Sequence, residues 1–562
     1  MKSASTIRNR LTATARINNS DAPFGFNFAI HLILCFALIG TTASATDYFI
    51  SNSGDDDSLG TSSDQPWRTL VRLSKASPGL GDSIFLRGGD VFTGPLQIEA
   101  SPVNPKMGGQ MLIASYGTGL ANISVRERSA VVVRNMGDVS IRRLRVTGGG
   151  RHSAFGSGVD FECTEPDGVR LGKISIEQVE ACGFSNAGIS VTVVTKKFNS
   201  RSGYDGITIR GCVAWDNARY GILVAGDFDM PSEGVPHYNH KEVSVLECVA
   251  RDNPGDPTYL ENHSGNGILI GSVDGGCIER CVAYRNGELC FNRSGGPVGI
   301  WTYASRGVVI RLCASCDNRT GNAPDGGGFD LDGGCQQCTI EYCYSSNNDG
   351  AGYLLYDYVG SPMAWKDNVL QFCVSENDGR KGAYGGIVFG GEIDGCDVYQ
   401  NTVYLGTSPK HGRPACVRFI DNLKAQRLRF FNNAFVTTAD HPVVGGVLPN
   451  GTSFAGNLYW SETGRPQFDG FQGGFDEWQQ TMQHEISASP NFKQSGLNQF
   501  IEVIAQLKSL QSYEPTPGSP LIGAGIELSQ YGIQSNVGEK PDIGVGNAIT
   551  VRLNSNRQVG TP

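Results

Sequence analysis

IERCVAYRN, residues 278–286, contains the pattern that decides the fold: an aliphatic residue, two variable positions, a cysteine, and Asn or Asp five positions after the cysteine. The same pattern occurs in five other segments, at intervals of 30 to 36 residues. Six copies in register indicate a repeat architecture. The repeated cysteines are Cys212, Cys248, Cys281, Cys313, Cys343 and Cys373, with Cys182 in a looser earlier copy and Asn401 and Asn433 in the same place further along.

Each repeat continues with a glycine and a short apolar strand, as in NGILIGS (266–272) and VGIWTYA (298–304). No repeat has the apolar stripe of an amphipathic helix, and one repeat cannot bury its apolar face alone. Stacked strands lie about 4.8 Å apart, which aligns equivalent side chains in columns. The sequence therefore predicts an all-β fold, a right-handed parallel β-helix with an inward column of cysteines and a ladder of asparagines. The ladder residues are Asn217, Asn253, Asn286, Asn318, Asn348 and Asp378.

The composition agrees with a long β-solenoid. Of 562 residues, 75 are glycine, 39% are apolar and 18% are charged, which disfavours both a helical and a disordered chain. A solenoid grows without a limit on core size, so one domain can accommodate this length. We expect an N-terminal cap and first coils over residues 46–125, regular coils over 126–440, and C-terminal coils over 441–562 with a short helix from Phe475 to Glu485.

Residues 1–45 have the three parts of an export signal: four basic residues, an apolar run over 28–39, and Ala43-Ser44-Ala45 as a cleavage site. The apolar run is shorter than the ~20 residues that span a bilayer. We therefore expect a secreted, periplasmic or cell-surface protein with no membrane anchor after cleavage. Cleavage changes the formal net charge from −9 to −12, and so acidic a protein is a poor candidate for nucleic-acid binding.

The cysteines allow three interpretations. Cys35 lies in the leader, and the other 15 would normally suggest disulfides in an exported protein. The inward column accounts for seven of them without any bridge. Cys313, Cys316, Cys335 and Cys338 have the spacing of a zinc site, but Cys313 already belongs to the column and the intervening residues resemble a repeat strand. We expect no structural metal.

Segments at both ends resemble the pectate-lyase-like superfamily of secreted bacterial β-helix proteins, which have PbH1-type repeats. YFISNSGDDD (48–57) and GDSIFLRGGD (81–90) are similar to the opening strand and first coil of such proteins. GSPLIGAG (518–525) and DIG (542–544) are similar to their C-terminal end. The resemblance implies a substrate groove on the outer face of one sheet. It does not fix the activity, because the superfamily contains lyases, hydrolases, epimerases and binding proteins.

Strand alternation predicts which side chains face that groove. Two carboxylates beside aromatic rings suit a carbohydrate, because rings pack against the apolar faces of sugars and carboxylates transfer protons. Residues two apart on a strand are separated by about 6.5–7 Å, within the roughly 6.5–9.5 Å of inverting glycosidases. We therefore predict that Asp330 and Asp332 form a general acid/base pair. The predicted outward residues include Trp301, Tyr303, Asp330, Asp332 and Tyr356.

Further candidates lie near the ends of the predicted strands. Glu392 is a third catalytic candidate, and His263 is a candidate substrate-binding residue together with Trp301, Tyr303 and Tyr356. Other acidic residues that could contribute from strand ends are Asp227, Asp325 and Asp349.

Two other functions compete with a glycoside hydrolase. A polysaccharide lyase would need a Lys or Arg base, but no basic residue falls at a predicted groove-facing position. A non-catalytic carbohydrate-binding β-helix would need no acid pair. Asp-x-Asp between glycines also occurs in turns and in calcium sites, so bound calcium is possible, although hydrolysis requires no cofactor. The expected partner is a polysaccharide substrate, and the expected state is a monomer.

Overall fold

The computed structural model describes residues 45–555, apart from 101–107, 154, 195–199, 227–236, 383, 407–411, 422, 439 and 534–539. Nearly all of the predicted leader, and Asp227, lie outside the described residues. Within the described ranges, no helix is both long enough and apolar enough to cross a membrane.

Three stacks of parallel strands confirm the predicted right-handed parallel β-helix. The strands of sheet 1 are Asp47–Ile50, Ser83–Arg87, Met111–Tyr116, Val139–Arg142, Ile174–Glu177, Gly203–Arg210, His240–Leu246, Val273–Glu279, Arg306–Arg311, Thr339–Glu341, Trp365–Gln371, Lys424–Phe431 and Thr452–Ala455. The strands of sheet 2 are Val91–Thr93, Ala121–Ser124, Leu144–Thr147, Glu180–Cys182, Val213–Trp215, Val249–Arg251, Val282–Tyr284, Ala314–Cys316, Tyr344–Ser346, Val374–Glu376, Thr402–Leu405, Ala434–Thr437 and Leu458–Ser461.

Sheet 3 carries the outer face on which the candidate site lies. Its strands are Leu96–Glu99, Val131–Arg134, Val159–Cys163, Ala187–Val193, Tyr220–Ala225, Asn266–Gly271, Val298–Tyr303, Gly327–Leu331, Tyr353–Asp357, Ala415–Phe419 and Val444–Gly445. The long strand Gly385–Tyr399 runs from sheet 3 into sheet 1, and the short strand Arg170–Leu171 pairs with the start of Gly203–Arg210.

The inward side chains of sheet 3 follow the predicted register. Ile268, Ile300, Phe329, Tyr353 and Ile387 are Cα partners on successive strands, and all are at most 1% exposed. The rings of Phe329 and Tyr353 stack with centroids 5.2 Å apart. Because these five inward positions are aligned, their outward neighbours are aligned too, and the groove-facing residues form columns.

The cysteine column is also present, with one correction. The six cysteines of the regular repeats are fully buried; the thiol of Cys281 donates to the Val245 carbonyl oxygen of the preceding coil, and its sulfur accepts from the Cys248 N–H. Asn401 continues the column by accepting from the Cys373 N–H. Assigning Cys182 to the column was wrong, because Cys182 pairs with Trp215 on sheet 2 and is half-buried.

The asparagine ladder has a direction. Asn217 donates its backbone and side-chain N–H to Asn253 Oδ1, and the pattern repeats from coil to coil up to Asn348. The last acceptor is Asp378, and burial raises its pKa to about 7. A second ladder ends in the same way at Glu485, which accepts from Asn457; burial raises the pKa of Glu485 to about 8.

Helices are short and lie near the two ends of the described chain. The α-helices are Leu70–Ala76, Phe475–Thr481 and Ala548–Ser555, and the 3₁₀ helices are Ile504–Tyr513 and Leu528–Tyr531. The predicted helix begins at Phe475 as expected but ends at Thr481, four residues early. Trp478 on this helix is fully buried and stacks on Phe468, which covers the end of the coil stack with aromatic side chains.

Candidate active site

A pocket of about 520 Å³ opens on the outer face of sheet 3; we call it the sheet 3 pocket. Its floor is formed by sheet 3 strands and its side by the loops that precede them in sequence. The described lining residues include carboxyl groups and aromatic rings but neither lysine nor arginine. They are Asn262, His263, Ser294, Gly295, Gly296, Val298, Trp301, Tyr303, Pro324, Asp325, Asp330, Asp332, Leu354, Tyr356, Tyr358, Tyr384 and Ile420.

The register explains why six of the seven residues proposed from sequence meet in this pocket. Leu269, Trp301, Asp330, Leu354 and Val388 are Cα partners on successive strands, so they form one outward column. The next outward column contains the two tyrosines. The six are His263, Trp301, Tyr303, Asp330, Asp332 and Tyr356, and the lesser candidate Asp325 lines the pocket too.

Two tyrosines of the pocket lie over glycines of neighbouring coils. Tyr303 is the Cα partner of Gly271, and a Cβ atom at Gly271 would lie 2.0 Å from the Tyr303 ring. Tyr356 stands in the same relation to Gly390, where a Cβ atom would lie 2.5 Å from the ring. The missing side chains let both rings lie close to the sheet, and the space above them remains open to the pocket.

Asp330 is a buried carboxyl without partners in the described part of the chain. Its side chain is 3% exposed, and its Oδ1 atom is buried with no hydrogen bond. Burial, together with the nearby charges of Asp332 and Asp325, raises its pKa well above the usual range. Burial therefore favours the protonated form of Asp330, which is the form that can donate a proton.

Asp332 follows the end of the strand Gly327–Leu331, and its backbone N–H donates to the Thr302 carbonyl oxygen at 2.9 Å. Its carboxylate accepts from the Gly333 N–H, which favours the charged form. Burial outweighs that hydrogen bond and raises the pKa of Asp332 to about 7. Asp330 and Asp332 thus differ in environment, as an acid and a base at one site must.

A third carboxyl, Asp325, faces the same space from the preceding loop. Tyr384 Oη donates to Asp325 Oδ1 at 2.9 Å, and the Gly296 N–H donates to Oδ2 at 2.9 Å. These two donors favour the charged form, although burial still raises the pKa of Asp325. A charge on Asp325 helps to keep Asp330 and Asp332 protonated, because like charges within one site repel.

Glu392 does not join this site, contrary to the sequence hypothesis. The backbone turns at Gly391, where φ is +78°, and Glu392 then pairs with Lys424 on sheet 1 rather than continuing along sheet 3. Its side chain is 71% exposed and accepts a hydrogen bond from Lys424 Nζ at 2.8 Å. The salt bridge keeps the pKa of Glu392 low, so it is an ordinary surface carboxylate.

Sequence reasoning did not identify Tyr358, Tyr384 or Asn262 as lining residues. Asn262 and Tyr384 lie in loops and Tyr358 follows a strand end, so period-two alternation gave no information about them. Asp349, a lesser candidate, forms a 3.9 Å ion pair with Arg319 and does not line the pocket. The possible zinc set is not assembled: the described residues contain no group of three or more His, Cys, Asp or Glu suited to a metal ion.

No protein-family model matches the chain. Among curated proteins, it is similar to a lacto-N-biosidase of Bifidobacterium longum subsp. longum, with 20% identity over 630 aligned positions. The alignment covers 93% of this chain but 38% of the relative, so the chain spans well under half of that protein's length.

Solved structures with a similar fold include a GH136 lacto-N-biosidase from Eubacterium ramulus, at 15% identity and TM-score 0.47, covering 75% of this chain and 67% of that chain. Pectate lyase Pel9A matches at 13% identity and TM-score 0.39, covering 90% and 97%. The mannuronan C-5 epimerase AlgE4 A-module of Azotobacter vinelandii matches at 14% identity and TM-score 0.43, covering 69% and 93%. The parallel β-helix that the resemblance implied is established by the strand pairing of this chain itself.

Proposed function

We propose that this protein is a glycoside hydrolase that cleaves a neutral glycan in the sheet 3 pocket. The observation that carries the proposal is the pair of carboxyl groups, Asp330 and Asp332, whose pKa values are both raised and which line one pocket with aromatic rings. Glycoside hydrolysis needs one carboxyl to protonate the leaving oxygen and another to act on the other side of the bond.

The two environments suggest the roles. Asp330, whose pKa is raised further, is the general acid that protonates the glycosidic oxygen. Asp332, with its pKa raised to about 7, ionises first and is the base that takes a proton from the attacking water. Trp301, Tyr303 and Tyr356 supply apolar ring faces for the sugar.

The charge of the pocket favours hydrolysis over β-elimination. A lyase acting on uronates needs a basic residue and a means of neutralising the substrate carboxylate, and the described lining residues include neither lysine nor arginine. The similarity to a lacto-N-biosidase supports a glycosidase as well. We propose that the protein acts outside the cytoplasm, as a monomer, on an uncharged oligosaccharide or polysaccharide.

The test is incubation of the mature protein with neutral oligosaccharides, including a lacto-N-bioside, and with uronate polymers. New reducing ends and the ultraviolet absorbance of unsaturated uronates are followed together. We expect reducing ends without absorbance, lost in Asp330→Asn and Asp332→Asn. Glu392→Gln is the matched control, because Glu392 lies outside the pocket, and it should retain full activity.

Each other outcome of this assay has a definite meaning. Rising absorbance would replace the hydrolase by a lyase. Binding without any cleavage would replace it by the carbohydrate-binding function. Equal loss of activity in Glu392→Gln would show that the effect of the aspartate variants is not specific to the pocket.

A further inference from the structure

We infer that Trp301 and His263 form a donor subsite, a pair of uncharged N–H groups that binds an oxygen acceptor of the substrate, either a sugar hydroxyl or an amide carbonyl. Both residues line the sheet 3 pocket, and their rings meet edge to face with centroids 5.1 Å apart. The inference rests on the proposed function for its substrate class, but not on which carboxyl performs the chemistry.

Trp301 supplies the first donor. The residue is 5% exposed, and its Nε1 atom is buried with no hydrogen-bond partner among the described residues. An indole N–H can only donate, and buried tryptophans usually find an acceptor. Trp301 lines the pocket floor but its Nε1 atom is covered in the unliganded protein, so a ligand oxygen accepts from it only when neighbouring side chains shift on binding.

His263 supplies the second donor because Asn266 fixes its tautomer. The Asn266 side-chain oxygen accepts from the Val298 N–H at 3.2 Å, which orients the amide. Its nitrogen then points to the Arg219 carbonyl oxygen, at 3.3 Å, and to His263 Nδ1, at 2.9 Å. An amide nitrogen donates only, so Nδ1 accepts and the proton of the neutral ring is on Nε2.

Burial keeps His263 uncharged. It lowers the pKa of the imidazole to about 4, so the ring is uncharged at neutral pH. The groups in contact with the ring include Trp301, Tyr220 and Asn266, none of which carries a charge. Two neutral donors side by side fit an uncharged oxygen, whereas a cationic amino group offers no acceptor.

Asn266 is therefore a positioning residue that acts through His263. Changing Asn266→Asp replaces the donor at Nδ1 by an acceptor, so the imidazole proton should move to Nδ1 or the ring should become doubly protonated. ¹⁵N NMR of the imidazole at neutral pH measures this directly. We expect unprotonated Nδ1 in the wild type and protonated Nδ1 in Asn266→Asp; a protonated Nδ1 in the wild type would overturn the assignment.

Ligand binding tests the subsite. Calorimetry measures the binding of the neutral oligosaccharides of the hydrolysis panel. The protein carries Asp332→Asn so that it does not cleave them during the measurement. If the wild-type protein cleaves none of them, the wild type is used instead. Trp301→Phe keeps the aromatic face but removes the N–H, and we expect about tenfold weaker binding. His263→Leu should weaken binding similarly, and His263→Gln, which retains an N–H donor, should restore part of it. Trp215→Phe, on sheet 2, is the matched control and should bind normally.

Sugars with and without an acetamido group distinguish a carbonyl acceptor from a hydroxyl acceptor. Trp301→Phe should weaken the binding only of those sugars that supply the acceptor. Unchanged binding in Trp301→Phe and His263→Leu would overturn the subsite while leaving hydrolysis intact. Binding that depends on both residues without cleavage would keep the subsite and overturn the hydrolase. Absence of binding to every sugar would overturn both.

Discussion

Trp301 and Asp330 are Cα partners on adjacent strands, and each has a buried polar atom with no partner among the described residues. An unmade buried hydrogen bond costs about 1–3 kcal/mol, so this pair lowers the stability of the unliganded protein. Nothing in the coil geometry requires that cost, because the same column holds Leu269 and Leu354 on the coils before and after. The substrate subsite proposed above would give both groups a partner.

Replacing Asp330 by leucine, the residue found in the same column at Leu269 and Leu354, should make the protein more stable. We expect Asp330→Leu to raise the free energy of unfolding by about 1–3 kcal/mol, because it removes an unsatisfied carboxyl, while abolishing activity. Thermal and denaturant unfolding measure the change. Asp82→Leu is the matched control: Asp82 is equally buried but accepts from the Thr46 and Gly79 N–H groups, so its loss should destabilise. A destabilised Asp330→Leu would mean that the carboxyl has an internal partner.

The pH profile of kcat/KM should report the two carboxyls. Asp332 must be ionised and Asp330 protonated, so activity should rise with pH up to about 7, the raised pKa of Asp332, and fall where Asp330 loses its proton. Asp325→Asn removes a nearby charge, so the rising limb should move to lower pH. Highest activity at acid pH would contradict Asp332 as the base, because Asp332 would then be protonated, and complete loss of turnover in Asp325→Asn would bring Asp325 into the acid/base pair.

Stability should fall between acid and neutral pH. The folded pKa of Asp378 is about 7 and an unfolded aspartate titrates near 3.9, so the folded state holds a proton that the unfolded chain has released throughout this window. Each such carboxyl therefore lowers the free energy of unfolding by about 1.4 kcal/mol per pH unit between its unfolded and folded pKa values. Outside that range it causes no change with pH. Asp378→Asn should flatten the unfolding profile measured from pH 4 to 8, whereas exposed Asp64→Asn should not.

The thiols should all be free despite the predicted export. All fifteen cysteines of the described chain are unbridged, and thirteen are buried. We expect fifteen reactive thiols in denaturant and rapid labelling of at most Cys182 and Cys277 in the native protein, since these two are partly exposed. Mass spectrometry after alkylation counts them; a shortfall in denaturant that a reductant restores would indicate disulfides.

Chelation should leave activity unchanged. The described residues offer no group of three or more His, Cys, Asp or Glu suited to a metal, and burial raises the pKa values of the pocket carboxyls, which disfavours the ionised oxygens that calcium prefers. Activity measured with EDTA, and again with added calcium, tests this. A loss with EDTA that calcium restores would require a site formed on ligand binding.

Repeat spacing and strand alternation predicted the parallel coils, the inward cysteine column, and the outward pair Trp301 and Asp330, because period and register are local properties. Two assignments failed where local geometry changes. Positive φ at Gly391 turns Glu392 onto another sheet, and Cys182 lies three residues from its expected place. Loop residues such as Tyr384 could not be placed from sequence, since their positions depend on contacts between coils.

The one-way hydrogen bonding of the asparagine ladders has a consequence for how such a chain can evolve. An internal Asn such as Asn286 accepts from the coil before and donates to the coil after, so a whole coil could be duplicated or deleted there without breaking the chain of bonds. Asp378 and Glu485 accept from the preceding Asn but have no side-chain amide N–H to donate to a following coil, so each ends its ladder. Coil number is thus free to drift upstream of Asp378, where all but two of the residues lining the sheet 3 pocket lie.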